Sequence, residues 1–210
     1  QYATTGETKA LKSTVNVDQA MPFIPPAAGK LRGAHELQQR CEEWTPAHVP
    51  PGVRFLVACV DVQAGMRRGF VVQVIGFGVG REHWLIDRYA LKTSERIGPD
   101  GHRASIDPSA YVEDWQRLIG KCITRRYPLD DGSGRTMPIR VTVCDSGGED
   151  GVTGRAYEFH RYLVSKRLSA RFRLVKGAAS RNAPRVDQTY PDIKRAGKKV
   201  QGDVPLLMLN

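Results

Sequence analysis

The sequence lacks any run of about 20 apolar residues, the length that a membrane-spanning helix requires. The opening stretch QYATTGETKALKST has no apolar core of the kind found in a signal peptide, so nothing in it indicates secretion. The GxxxxGK[ST] pattern of a phosphate-binding loop is also absent, which excludes a P-loop ATPase site within these residues. The length and mixed composition are those of a globular domain that can bury a core.

Cysteine is scarce, and the four cysteines lie far apart at positions 41, 59, 122 and 144. They form no CxxC pair and have no neighbouring histidine cluster, so neither a zinc site nor a disulfide framework is predicted. Cys59 and Cys144 lie inside apolar runs, and we expect them to be buried free thiols in a reducing compartment.

Acidic residues are few in the last part of the chain. Residues 151–210 contain 13 Lys and Arg but only 4 Asp and Glu, whereas residues 1–150 contain 19 and 18. A basic segment behind a neutral one is typical of a protein that binds a polyanion, most often nucleic acid. The alternative is a basic surface that is simply solvated.

The run FLVACVDV at 55–62 is almost entirely apolar and has no helical periodicity. This pattern predicts a strand that is buried on both faces of a sheet. Asp61 stands near its end, and a buried carboxylate is costly unless it is paired or binds a metal. The sequence therefore predicts a partner for Asp61.

The order of the predicted elements indicates the fold class. Three meander strands at 54–62, 70–78 and 83–91 precede a helix that begins at Asp107-Pro108. A strand at 139–145, a helix capped by Thr153, a strand at 172–177, a long loop and a strand at 204–210 follow. This order predicts an RNase H-like α/β fold, a mixed sheet with helices on its faces. Residues 1–46 are predicted as a linker or arm with a short helix at 35–44, and residues 47–210 as the folded domain.

A second aspartate repeats the arrangement of the first. The run IRVTVCD ends with Asp145 and is followed by a glycine turn. In this fold class the first and fourth strands are parallel neighbours, so Asp61 and Asp145 are expected to face one another. Two close carboxylates repel unless they share a proton or a divalent cation, and oxygen ligands suit Mg²⁺ or Mn²⁺. Such a site favours in-line phosphodiester hydrolysis, while the alternative is that each residue caps a turn.

Further acidic and basic residues are weaker candidates for the same chemistry. Asp87, Glu149 and Asp150 are possible additional acids, and Asp87 could instead pair with Arg88 or another cation. Basic side chains that follow the second helix are expected to contact backbone phosphates, which position DNA without reading its sequence. They are Lys176, Arg181, Arg185, Lys194, Arg195, Lys198 and Lys199.

Several segments together resemble one protein family, the lambda-like (GpA-type) phage terminase large subunit, in its C-terminal nuclease domain. The segments are VPPGVRFLVACVDVQ, FGVGREHWLID, VCDSGG, TGRAYEFHRY, RLVKGAAS and VPLLMLN. The resemblance implies an RNase H-like endonuclease that cuts concatemeric viral double-stranded DNA with Mg²⁺ or Mn²⁺, in a site expected to hold two ions. Asp61 would match the first-strand metal ligand and Asp145 the second.

The same resemblance implies a setting for this domain. An ATPase domain would precede it, the terminase small subunit and the portal would be partners in the motor, and the host cytoplasm would be its location. A third carboxylate is expected from a C-terminal segment beyond residue 210. Two alternatives stay open: another RNase H-like nuclease such as a resolvase or integrase core, and a non-catalytic module that binds DNA or docks to the portal.

Overall fold

The computed structural model describes residues 12, 34–39, 41, 45–148, 150–180, 182–191, 193–195, 198–200 and 202–210. The chain divides into two compact units, Gln1–Glu43 and Trp44–Asn210. In the first unit, helix α1 spans Ala34–Gln38, so it is shorter than the helix predicted at 35–44. No helix in the described part of the chain is long and apolar enough to span a membrane.

The second unit is built mainly from β-strands. The strands are β1 Phe55–Gln63, β2 Gly69–Phe77, β3 His83–Leu91, β4 Thr93–Ile97, β5 Arg103–Ser105, β6 Arg126–Pro128, β7 Thr136–Asp145, β8 Phe172–Gly177, β9 Val186–Thr189, β10 Ile193–Arg195, β11 Lys198–Val200 and β12 Leu206–Leu209. The helices are α2 Val112–Trp115 and α3 Val152–Ser165. A π-helical turn spans Ile119–Ile123, and 3₁₀ turns span Gly65–Arg67, Val79–Arg81 and Ser169–Arg171.

One mixed sheet organises this unit, with the strand order β3-β2-β1-β7-β8-β12-β9 and with β6 paired to β7. The pairs β1–β7, β7–β8 and β8–β12 are parallel. The pairs β1–β2, β2–β3 and β12–β9 are antiparallel. This confirms the predicted mixed α/β fold, and the order is compatible with an RNase H-like fold. It also confirms that the first strand and the long strand ending at Asp145 are parallel neighbours.

A chain of aromatic contacts joins the helices to one face of the sheet. Trp115 of α2 lies edge-on to Phe70 of β2, with ring centroids 5.1 Å apart, and contacts Phe159 of α3 at 5.9 Å. Phe159 in turn packs edge-on against Phe172 of β8 at 5.3 Å. All four side chains are fully buried, and such geometries add to the stabilisation from burial alone. The core therefore lies between the helices and this face.

The opposite face of the sheet is different, and here the prediction for β1 was wrong. Burial alternates along β1: Leu56, Ala58 and Val60 are buried, whereas Cys59 and Asp61 are exposed. Within the second unit, α2 and α3 pack on a single face of the sheet, so neither of these helices covers the other face of β1. Alternation that is concealed in a run of apolar residues cannot be recognised from hydropathy, because Phe55 and Val57 on the open face are also apolar.

Several shorter elements were not predicted. Strands β4, β5 and β6 lie where no strand was expected, and β9, β10 and β11 lie in the segment that was predicted as a loop. These strands are short and mostly polar, so they lack the apolar alternation that identifies a half-buried strand. The pairs β4–β5, β6–β7 and β10–β11 form across short connections, and β9 pairs with β12 at the edge of the main sheet.

Local details of the helices also differ from expectation. Thr153 does not cap α3, because its hydroxyl donates to the Ser146 carbonyl oxygen and the residue at the cap position is Gly151. Two apolar side chains of the helical segments are partly exposed, Val164 of α3 at 53% and Tyr111, which precedes α2, at 44%. The Tyr111 ring instead contacts a guanidinium, that of Arg96, at 3.5 Å from its centroid.

We expect Phe159→Ala to lower the free energy of unfolding by about 3–5 kcal/mol, because it empties the centre of the aromatic chain. Val164→Ala on the same helix is the matched control and should change it by less than about 0.5 kcal/mol, since that side chain is half exposed. Urea unfolding followed by circular dichroism measures both values. Equal effects would contradict the assignment of the core to this face.

Candidate metal and nucleic-acid site

The parallel pairing of β1 and β7 brings two carboxylates to the same point of the sheet. Cys59 is the register partner of Val143, and Val60 that of Cys144. The next residues along the two strands are Asp61 and Asp145. Side chains alternate between faces, and Val60 and Cys144 are buried beneath the helices. Both carboxylates therefore point to the open face, at the carboxyl ends of neighbouring central strands.

Each carboxylate is oriented by one hydrogen bond from its own strand end. The Gln63 side-chain amide donates to Oδ2 of Asp61. The Gly147 backbone N–H donates to Oδ1 of Asp145 over 2.9 Å. Among the described residues, Oδ1 of Asp61 and Oδ2 of Asp145 accept no hydrogen bond, and neither residue has an ion pair. One oxygen of each carboxylate is thus available to a ligand.

The two carboxylates line one open cleft of about 440 Å³. Its floor is formed by apolar side chains of the central strands, including Val71, Val143 and Val175, and Arg88 lies at one side. Asp61 is exposed and Asp145 is half-buried. Among the described residues that line this cleft, Asp61 and Asp145 are the acidic ones.

The position of the carboxylates also affects a neighbouring thiol. Burial raises the pKa of the Cys144 thiol well above its usual value, and the nearby charges of Asp145 and Asp61 raise it further. Cys59 lines the cleft, and its partial desolvation there raises its pKa although the residue is exposed. Cys59, Cys122 and Cys144 are free thiols, as expected, but Cys59 is exposed, so the prediction that it is buried was wrong.

The expectation that Asp61 is buried and therefore needs a partner was wrong. Asp61 is exposed, so desolvation does not by itself demand a partner for it. Among the described residues, the fully buried carboxylate is that of Asp114, which accepts hydrogen bonds from the Arg96 guanidinium, at 2.8 Å and 3.0 Å, and from the Asp107 backbone N–H at 2.7 Å. This partnered carboxylate is structural. Asp61 is distinguished by its position beside a second carboxylate, Asp145, on the neighbouring strand.

The weaker acidic candidates are not among the residues that line the cleft, and one of them lies outside the described residues. Asp87 faces the helix layer, where it pairs with Arg125 at 3.0 Å and accepts a hydrogen bond from the Tyr127 hydroxyl at 2.9 Å. Its partner is thus Arg125 and not Arg88. Asp150 is exposed on the loop after β7, and Glu149 lies outside the described residues.

The donor set fits a hard divalent cation in part. Mg²⁺ is commonly bound through one or two carboxylates and keeps several waters and substrate phosphates in its other positions. Asp61 and Asp145 supply that number of carboxylates with free oxygens. Within the described ranges no group of three or more His, Cys, Asp or Glu side chains could hold a metal. The described residues thus fit a site that water and substrate complete.

Of the predicted DNA-binding residues, some are described with their side chains, some only by their backbones and one not at all. Lys176 is exposed, and it follows Val175, the register partner of Asp145, so it lies at the same carboxyl edge of the sheet. Arg185 is exposed, and its carbonyl oxygen accepts from the Asn210 N–H beyond β12, so it reaches that edge too. The backbones of Lys194, Arg195, Lys198 and Lys199 form the β10–β11 hairpin. Arg181 lies outside the described residues. Their roles in binding DNA stay predictions.

Sequence reasoning missed three polar residues around the carboxylates. Gln63 was visible as part of the stretch DVQ, two residues after Asp61, and strand alternation alone would have put it on the same face. Gln73 and Arg88 line the cleft and are register partners of each other in β2 and β3. Arg88 could not be assigned to this face from the sequence, because a register shift separates it from the turn.

The fold and the paired strand ends define the class of protein: a mixed α/β domain with an acidic centre at the carboxyl ends of its parallel strands. The sequence model of one family, described as terminase large subunit gpA, endonuclease domain, matches residues 1–210. The chain belongs to this family, which confirms the resemblance drawn from its segments. Comparisons with curated proteins and with solved structures gave no significant match.

We expect Asp145→Asn to weaken Mn²⁺ binding at least about tenfold, because it removes one of two anionic oxygen ligands. Isothermal titration calorimetry of the 210-residue chain measures the Kd without any need for DNA cleavage. Asp187→Asn is the matched control, since Asp187 is an exposed strand carboxylate on β9 outside the cleft. An unchanged Kd for Asp145→Asn would contradict the site.

Proposed function

We propose that this domain is a metal-dependent endonuclease that hydrolyses phosphodiester bonds of double-stranded DNA, with Asp61 and Asp145 as the metal-binding catalytic residues. The observation that carries the proposal is their placement: they directly follow Val60 and Cys144, the last residues paired between two parallel strands, and both line one cleft. Membership of the terminase endonuclease family supports the reaction class and the DNA substrate.

The chain's own residues would contribute charge and orientation. Asp61 and Asp145 present one free oxygen each, and Gln63 and the Gly147 N–H hold the other oxygens in place. The cofactor would be Mg²⁺ or Mn²⁺, with two ions completed by water and phosphate ligands. When bound, such ions stabilise the attacking and leaving oxygens of an in-line displacement. No activated Ser, Cys or His nucleophile is needed.

The biological setting follows from the family. The substrate would be concatemeric viral DNA, cut as it is packaged into a capsid by a motor in the host cytoplasm. The terminase small subunit and the portal would be partners of the full-length large subunit. The basic excess of residues 151–210 supports a polyanionic substrate, since cationic surfaces attract DNA at long range.

A second candidate function is a non-catalytic module that binds DNA or docks to the portal. It is favoured by one observation, that the described residues contain no group of three or more acidic, His or Cys side chains that could hold a metal ion. This candidate requires salt-sensitive DNA binding without metal-dependent turnover.

We expect the 210-residue chain to nick supercoiled plasmid in Mg²⁺ or Mn²⁺ and to be inactive in EDTA. Asp61→Asn and Asp145→Asn should each lower the rate at least about a hundredfold, because loss of about 3 kcal/mol of electrostatic stabilisation has that effect. A gel-based nicking assay measures the rate. Asp187→Asn is the matched control and should retain the activity of the unchanged chain.

The outcomes separate the candidates. Full activity in both Asp61→Asn and Asp145→Asn would contradict the assigned site, and absence of nicking in every metal would favour the binding module. Comparing linear, supercoiled and four-way junction DNA tests the resolvase alternative, since a resolvase would prefer the junction.

A further inference from the structure

The arginines of this domain fall into two groups according to whether an acid neutralises them. One group forms ion pairs with Asp or Glu side chains. Its members are Arg68, Arg96, Arg103, Arg117, Arg125, Arg135, Arg155 and Arg161. These charges hold the domain together locally and have their hydrogen-bonding capacity partly satisfied. The other described arginines form no ion pair with an acidic side chain.

Three residues without an acidic partner lie together beside the carboxylates. Arg67, Arg88 and Lys92 are exposed, and across the described ranges their side chains make neither an ion pair nor a hydrogen bond. They line one cleft of about 430 Å³ together with Gln63. We call these three cations the β3 basic surface.

The β3 basic surface is continuous with the candidate site. Val71 and Arg88 line both its cleft and the cleft that contains Asp61 and Asp145. Arg88 lies on β3, two strands from β1, which corresponds to about 10 Å or the rise of about three nucleotides along one DNA strand. A backbone whose scissile phosphate is at the carboxylates would therefore have neighbouring phosphates within reach of these cations.

A β-bulge determines that Arg88 faces this cleft. Phe77 pairs with His83 and Ile75 with Leu85, but the register then shifts so that Val74 pairs with Asp87 and Gln73 with Arg88. Regular pairing would have put Asp87 opposite Gln73. The shift sends Asp87 to the helix layer, where Arg125 neutralises it, and leaves Arg88 on the open face. A bulge commonly re-aims a side chain in this way.

The backbone around Arg67 is also constrained. Gly69 has a φ of 141°, and a Cβ there would collide with the Leu91 carbonyl oxygen, so the loop approaches the end of β3 closely. Arg68 anchors the loop through its ion pair with Asp107 at 2.6 Å. Arg67, its neighbour, has no such partner among the described residues and lines the same cleft as Gln63 and Lys92.

We propose that Arg67, Arg88 and Lys92 bind the phosphate backbone of duplex DNA on the β3 side of the carboxylate pair. This proposal rests on the proposed function, because the DNA that crosses the surface is the substrate of that pair. The surface lies in the neutral part of the sequence, outside the basic segment 151–210. The DNA would then be held from two sides, by β3 and by the carboxyl edge of β8 and β9. These contacts are positioning contacts that carry no sequence specificity.

The test is equilibrium binding in EDTA, where cleavage cannot occur. Fluorescence anisotropy of a labelled duplex, titrated with the 210-residue chain at several salt concentrations, gives the slope of log K against log salt. Each phosphate contact contributes about 0.9 to this slope, so Arg67→Ala/Arg88→Ala should make it shallower by about 2. Binding should weaken equally for unrelated DNA sequences.

The matched control is Arg140→Ala/Arg171→Ala, which removes the same charge. Both arginines are exposed and lack ion pairs in the described part of the chain, and they share a cleft at the amino end of β8, away from the carboxylates. The control should lower the slope by less than half as much. Single substitutions provide a second comparison: Arg88→Gln should lower the slope by about 1, and Arg88→Lys should leave it unchanged, since lysine also binds phosphate.

Equal slopes for the two double variants would overturn the proposal, because only net charge would then matter. An unchanged slope for Arg88→Gln, or no duplex binding by the unchanged chain, would also overturn it. The result is independent of nicking. A chain that binds as expected but does not cleave would support the surface and contradict the proposed catalysis. If the unchanged chain nicks plasmid but the two double variants give equal slopes, the proposed catalysis is supported and the β3 basic surface is contradicted.

Discussion

The parallel register between β1 and β7 is the constraint on which the rest of this domain depends. Val60 pairs with Cys144, and both are buried against the helices, so the residues that follow them must face the other way. A slip of one residue along β1 would move Leu56, Ala58 and Val60 out of the core and would bury Asp61 instead. The free energy of apolar burial on one face thus holds two carboxylates together on the other face. No bond between the carboxylates is required.

The sheet therefore separates two kinds of charge. On the helix side, charges are neutralised: Asp114 is enclosed by Arg96, and Asp87 is paired with Arg125. On the open side, Asp61 and Asp145 are adjacent like charges, and Arg88 is a cation without an acidic partner among the described residues. The proposed site would bind a divalent ion at the two carboxylates and a phosphate at Arg88, and this would account for unpaired charges of both signs on one face.

The sequence predicts those features of the fold and the site that depend on residues close together in the chain, and it does not predict those that depend on contacts between separate segments. The regions of β1, β7, α3 and β8 were recognisable because apolar runs and helical periodicity are local. Asp61 and Asp145 were recognisable as strand-end acids, and the fold class implied by the element order placed them side by side. The bulge that turns Arg88 to the cleft and Asp87 away from it has no local signal, since it arises from pairing between two strands. The short strands β9, β10 and β11 were missed because their mostly polar residues lack apolar alternation.

The sequence by itself determined the fold class, the family and the two strand-end carboxylates, because each is encoded in short segments whose chemistry does not depend on the rest of the chain. The tertiary structure alone decided which face of β1 is open, and hence that Asp61 is exposed and Asp114 is the buried acid. It also decided which arginines are neutralised and which are free. Burial and ion pairing are properties of side chains brought together from distant positions, and hydropathy along a single strand does not contain them.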